Sequence, residues 1–134
     1  MRASLTTNLE SIASIYLGEL CRVRCRGMVH AWGLAHRTPA GAEILLHPDL
    51  DETDLGYVFF HEVAHFALGH VRIIDSGGCE IDQAAIVARM AEPERTAIQG
   101  VLDCQESEAD ALALDLLTDF ERRFGDFVTA ITGG

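Results

Sequence analysis

The sequence predicts an α+β fold, in which a small antiparallel or mixed β-sheet packs on a central helix, with further helices at the N- and C-terminal ends. Three observations predict it. Apolar residues recur at three- and four-residue steps in three stretches, which is the period of a helix with one buried face. Between the first and second of these the period falls to two, as on a half-buried strand. The chain has 134 residues, 49% of them hydrophobic, which suits a single domain spanning residues 1–134 around one core.

In chain order, Leu5, Leu9, Ile12, Tyr16 and Leu20 mark an amphipathic helix from Leu5 to Leu20, with Gly18 weakening its last turn only slightly. In CRVRCRG, Cys21, Val23 and Cys25 then alternate with Arg22, Arg24 and Arg26, placing the cysteines on the buried face of a strand and the arginines on a solvated one. Met28 to His36 continues extended, Thr38-Pro39-Ala40-Gly41 has turn chemistry, and Ala42 to His47 is a second β-rich run, so a hairpin is expected. His30, His36 and His47 fall in or beside these strands and read as surface or internally paired histidines.

Pro48 ends the strand, and Asp51, Thr53 or Asp54 can cap a helix running from about Thr53 to Leu68, with Gly69 as its stop. Gly77-Gly78 opens a less defined stretch, Ile81 to Met90 can be helical, and Pro93 suits the first turn of another short helix. From Glu106 to Ile131 the apolar steps return through Ala109, Leu112, Ala113, Leu116, Leu117, Phe120, Phe124, Phe127 and Val128, a helix bent near Gly125.

Net charge is −11 and every one of the ten cationic residues is an arginine. So acidic a surface argues against direct binding to nucleic acid or an anionic membrane, both of which need a basic footprint, and favours a basic partner protein. No run of 18 apolar residues and no signal-peptide pattern is present, so a cytoplasmic protein is expected. Cys21, Cys25, Cys79 and Cys104 form no C-x-x-C pair and are expected to be reduced.

The chemistry concentrates in the central helix, which carries His61-Glu62-x-x-His65. Residues four apart on a helix are rotated by about 40° and stacked one turn apart, so both imidazoles can aim a nitrogen at one point that suits a zinc ion. Glu62, rotated about 100° from His61, is placed to touch a water at the metal, the position of a general base. Leu55, Phe59, Val63 and Phe66 lie roughly 120–200° from His61 and give the helix a separate core face. The alternative is an ordinary amphipathic helix that carries this pattern by chance.

A catalytic zinc generally takes three protein ligands. A third histidine in the pattern HExxHxxGxxH is absent, because Leu68 stands at the glycine position and Val71 at the last. His70, on a continuing helix, would point about 180° away from His61. Glu106, at the expected start of the long C-terminal helix, is the candidate third ligand. Asp110, one turn on, would accept the free N–H of a ligating histidine, and Ala109 and Ala113 would let the two helices approach closely. Glu108 and Cys104 are the fallback ligands. The competing reading is that these carboxylates merely complement a helix N-terminus.

The run ILLHP, the apolar lead YVFF, then HEVAHFALGH and, later, ESEADALALDLL resemble the ImmA/IrrE family of metallopeptidases over roughly Ile44 to Leu117. The resemblance implies a zincin-like fold, with zinc bound by His61, His65 and Glu106, Glu62 as catalytic base and Asp110 in support. It also implies an endopeptidase whose protein substrate is a helix-turn-helix repressor. Unlike many members of that family, these 134 residues are not expected to include a DNA-binding helix-turn-helix or a sensor domain. The alternative function is a metal-containing regulatory module that binds a repressor or partner without cleaving it. Substrate would lie extended along an edge strand of the hairpin. Tyr57, His70 and Arg72 lie near the motif, which alone assigns none of them to the oxyanion.

Overall fold

The computed structural model describes residues 3–70 and 83–133. The fold is α+β, with a three-stranded mixed sheet and five helices among the described residues. Helix α1 (Ala3–Leu17) leads into β1 (Cys21–Cys25), followed by β2 (Gly33–Thr38) and β3 (Gly41–Leu46). Helix α2 (Glu52–Ala67) carries the histidine motif, and α3 (Gln83–Ala88), α4 (Glu94–Phe124) and α5 (Phe127–Thr132) complete the chain.

The expected first helix ends three residues early. Gly18 adopts φ +67° and donates its N–H to the Ser14 carbonyl, so it stops the helix rather than weakening it. Leu20 therefore leaves the apolar stripe and is 77% exposed, while Leu9, Ile12 and Ala13 are buried as the spacing predicts.

Cys21–Cys25 is a strand with alternating burial, and β2 and β3 form the expected antiparallel hairpin. Residues 28–32 are not strand. The sheet order is β1-β3-β2, with β1 parallel to β3, so the hairpin's second strand is central. The register lines up Cys21 with Ala42 and Val23 with Ile44, and these side chains share the core under α1 and α2. On the opposite face Glu43 takes Arg24 at 3.1 Å and the buried His36 Nε2 at 2.9 Å, pairing both basic groups within the sheet, while His36 Nδ1 is buried without a hydrogen-bond partner among the described residues.

Asp51 is the cap of α2, accepting the Asp54 N–H at 2.8 Å, and Gly69 (φ +65°) terminates it as expected. The core face of α2 includes Phe60 as well as Leu55, Phe59 and Val63. Phe66 is only half-buried, under the Arg37 guanidinium.

Two further expectations are corrected. Pro93 precedes no short helix: it begins the same 31-residue helix that carries Glu106 and Asp110. The single helix expected from Glu106 to Ile131 is two, because Gly125 takes φ +93° and Asp126 caps α5 by accepting the Thr129 N–H. The chain then folds back and Phe127 packs among Phe59, Phe60 and Phe120, with ring centroids 5.5–6.0 Å away. The expected helix from Ile81 to Met90 corresponds in part to α3; Ile81, Gly77, Gly78, Arg72 and Cys79 lie outside the described residues. No helix among the described residues is long and apolar enough to cross a membrane.

Candidate metal centre

The site lies where α2 packs against α4. Ala109 and Ala113 are fully buried at this contact, and having no side chain beyond Cβ they leave room for α2's histidine face. His61 and His65, one turn apart, project their Nε2 atoms to 3.1 Å from each other. Across from them Glu106 places Oε2 2.9 Å from His61 Nε2 and Oε1 3.1 Å from His65 Nε2. Glu106 is not at a helix start: it lies about three turns past Glu94, out of reach of the helix N-terminal charge. The reading in which it merely complements a helix dipole therefore fails.

Two imidazole nitrogens and a carboxylate are thus brought together, and His61, His65 and Glu106 form a group able to hold a metal ion. A tetrahedral zinc with bonds of about 2.0–2.1 Å sets its ligand atoms about 3.3 Å apart. The two imidazole nitrogens, 3.1 Å apart, are a few tenths closer than that, and each faces a different oxygen of Glu106, at 2.9 and 3.1 Å. Two imidazoles and a carboxylate are also a donor set that zinc accepts. The residues fit the ion.

Electrostatics follow from the convergence. Hydrogen bonds from His61 and then His65 hold the Glu106 carboxyl well below the usual carboxylate range, against burial that pushes it up. Burial pushes the His61 ring down, but the hydrogen bond to Glu106 and the charges of Glu62, Glu106 and Asp110 outweigh it and leave its pKa raised.

Asp110 sits where the sequence predicts a supporting carboxylate: its Oδ1 is 2.9 Å from His61 Nδ1. In this rotamer the ring N–H and the oxygen are close but out of line, so the contact is electrostatic before it is a hydrogen bond. Tyr57 donates its hydroxyl to the same oxygen at 2.6 Å. That bond, with burial and the carboxylate charges of Asp110 and Glu106, raises the Tyr57 pKa to about 12.

Glu62 is buried, 4% exposed, on the flank of α2 that faces β2. Its side chain lies against Gly33, where a Cβ would come within 3.0 Å of Glu62 Cγ. The fallback ligands are elsewhere. Cys104 is exposed and donates its thiol to Glu108, whose other oxygen lies 3.5 Å from His70 Nε2.

His70 does not point away from the motif. Helix α2 has already ended, the left-handed Gly69 turns the chain, and the His70 N–H bonds the His65 carbonyl at 3.1 Å. Its ring then meets His65, Nδ1 to Nδ1, at 2.9 Å. The glycine stop at residue 69 was the signal that the helical wheel no longer applied at residue 70. Gly33 and Tyr57 carried no sequence signal, since their partners come from other elements. No family model matches this chain, and no curated protein does.

Proposed function

We propose that the protein is a zinc-dependent endopeptidase with a zincin-like arrangement, acting on a protein substrate, and that the substrate is a helix-turn-helix repressor. The reading is carried by one observation: the mutual approach of His61, His65 and Glu106 at 2.9–3.1 Å beside a buried Glu62. The substrate class rests on the resemblance of HEVAHFALGH and ESEADALALDLL to ImmA/IrrE metallopeptidases.

His61, His65 and Glu106 would hold the zinc, which when bound polarises a water and the scissile carbonyl. Glu62 takes the proton of the attacking water and passes it to the departing amide nitrogen, which leaves as the amine. Burial beside Gly33 restricts the carboxylate to few rotamers. Asp110 orients the His61 ring and Tyr57 orients Asp110. Among the described residues β2 is an edge strand. Because its Gly33 touches Glu62, a peptide added along that edge would pass the base.

The test is incubation of zinc-loaded protein with a candidate helix-turn-helix repressor, comparing wild type with Glu62→Gln. Cleavage by wild type, reduced by about 10²–10⁴-fold in the variant at equal zinc content, supports the peptidase. Tight repressor binding by both, with cleavage by neither, identifies a regulatory module instead.

A further inference from the structure

We propose that His70 is a positioning residue for His65, and that with Glu108 it forms a side-chain relay that sets which nitrogen of His65 is free to bind a cation. The inference rests on the metal-centre reading above. His65 turns Nε2 toward His61 and Glu106, leaving Nδ1 toward His70 Nδ1 at 2.9 Å. Two facing ring nitrogens hold one hydrogen between them, so the state of one ring dictates that of the other.

Without metal, Nε2–H of His65 donates to Glu106 Oε1, and Nδ1 of His65 accepts from Nδ1–H of His70. A cation at the centre needs the Nε2 lone pair. The hydrogen of His65 must then sit on Nδ1 and donate to His70, whose own hydrogen moves to Nε2. That nitrogen is sealed from solvent, on a side chain only 7% exposed, and faces Glu108 Oε2 at 3.5 Å. The separation is long for a hydrogen bond but short for attraction between an N–H dipole and a carboxylate. Glu108 is in turn held by the Cys104 thiol at 3.2 Å.

The two ligating rings are thus braced from different elements: His61 by Asp110 of α4, His65 by the residue that follows the α2 stop. Gly69 makes the second brace possible. Its φ of +65° brings His70 back over His65, and a Cβ there would strain the turn although nothing crowds it.

The test uses the full chain, with zinc affinity measured by chelator competition and ring tautomers by long-range ¹H–¹⁵N spectra. In wild type, zinc should move the His70 hydrogen from Nδ1 to Nε2, a change in a ring that is not a ligand. His70→Leu should weaken zinc about 10- to 100-fold, and His70→Asn, whose side-chain oxygen can stand near the lost Nδ1, should recover most of that. Unchanged affinity in His70→Leu, or a His70 tautomer indifferent to zinc, overturns the relay while His61→Ala still abolishes binding. Equal zinc binding by wild type and His61→Ala overturns the metal centre itself, and the relay with it. The tautomer readout needs no variant, so misfolding of His70→Leu would not shelter the proposal.

Discussion

Gly33 of β2 lies flat against Glu62 of α2. An added Cβ would sit 2.8 Å from Val58 Cγ1, 3.0 Å from Glu62 Cγ and 3.1 Å from Glu62 Oε2. The φ of Gly33 is not positive, so the glycine answers to space rather than to backbone conformation. Gly33→Ala should therefore push α2 and β2 apart locally, costing about 1–3 kcal/mol in urea unfolding. Because the clash falls on the proposed base and not on the ligands, peptide hydrolysis should fall more steeply than zinc affinity. A variant with wild-type turnover would show that Glu62 needs no such confinement.

Tyr57 and Asp110 support His61 as a chain, hydroxyl to carboxylate to ring. Asp110→Leu removes the carboxylate that favours the Nδ1–H tautomer, and zinc affinity should fall about 10- to 100-fold. Tyr57→Phe leaves the carboxylate in place but loses a hydrogen bond of about 1 kcal/mol, so its effect should be fivefold or so. Chelator competition orders the two; a larger loss in Tyr57→Phe would mean that the tyrosine acts on the metal directly.

Gly56 of α2 faces Phe127 of α5. Gly→Ala in a helix interior ordinarily stabilises by about 1 kcal/mol. Here the new Cβ would lie 3.0 Å from Phe127 Cδ1, and Phe127 is 2% exposed with aromatic neighbours on several sides. The ring has little room to give, so Gly56→Ala should lower rather than raise the thermal midpoint, and Phe127→Ala should cost about 3–5 kcal/mol.

What the sequence made legible follows from how local each signal is. His61-Glu62-x-x-His65 and the core positions Leu55, Phe59 and Val63 sit on one helix, where rotation per residue is fixed, so their placement could be read in advance. The link to Glu106 was legible through side-chain chemistry, though not through the boundary of its helix. Residues 91–104 are mostly exposed, and a helix that buries no face has no apolar period to reveal it. The parallel pairing of β1 with β3 was hidden because Val23 and Ile44 are joined across 21 residues by backbone bonds, which alternation alone does not specify. Glu43 likewise gave no hint that it would collect both Arg24 and His36.

The Tyr16 hydroxyl donates to Asp119 at 2.7 Å, tying α1 to α4. Burial, followed by the hydrogen bond to and charge of Asp119, raises the tyrosine to about 12 from its ordinary 10.0. The same hydrogen bond, with Arg123 and Arg122, lowers Asp119 below its ordinary 3.8. The raised tyrosine contributes stability that is whole below pH 10 and fades as pH climbs toward 12. The lowered aspartate contributes above its ordinary pKa and fades as pH falls through its depressed one. Tyr16→Phe should therefore be less stable than wild type at neutral pH, with the gap closing at both extremes. A gap that stays constant from pH 3 to 12 would place the tyrosine's worth in packing alone.

Metal removal separates a catalytic centre from a staple. The core of Phe59, Phe60, Phe120 and Phe127 joins α2, α4 and α5 without using any metal-facing side chain. The three candidate ligands meanwhile hold one another through the His61–Glu106 and His65–Glu106 contacts. Chelated protein should therefore remain folded and melt cooperatively. Zinc at about a hundred times its dissociation constant should add about 2.7 kcal/mol, a rise of roughly 10 °C for a domain of this size. In His61→Ala that rise should vanish while the metal-free midpoint moves little, since the ring is lost from the rim of the core. Collapse of far-ultraviolet ellipticity on chelation would instead make the ion structural, and loss of cleavage in His61→Ala could then no longer be taken as lost chemistry.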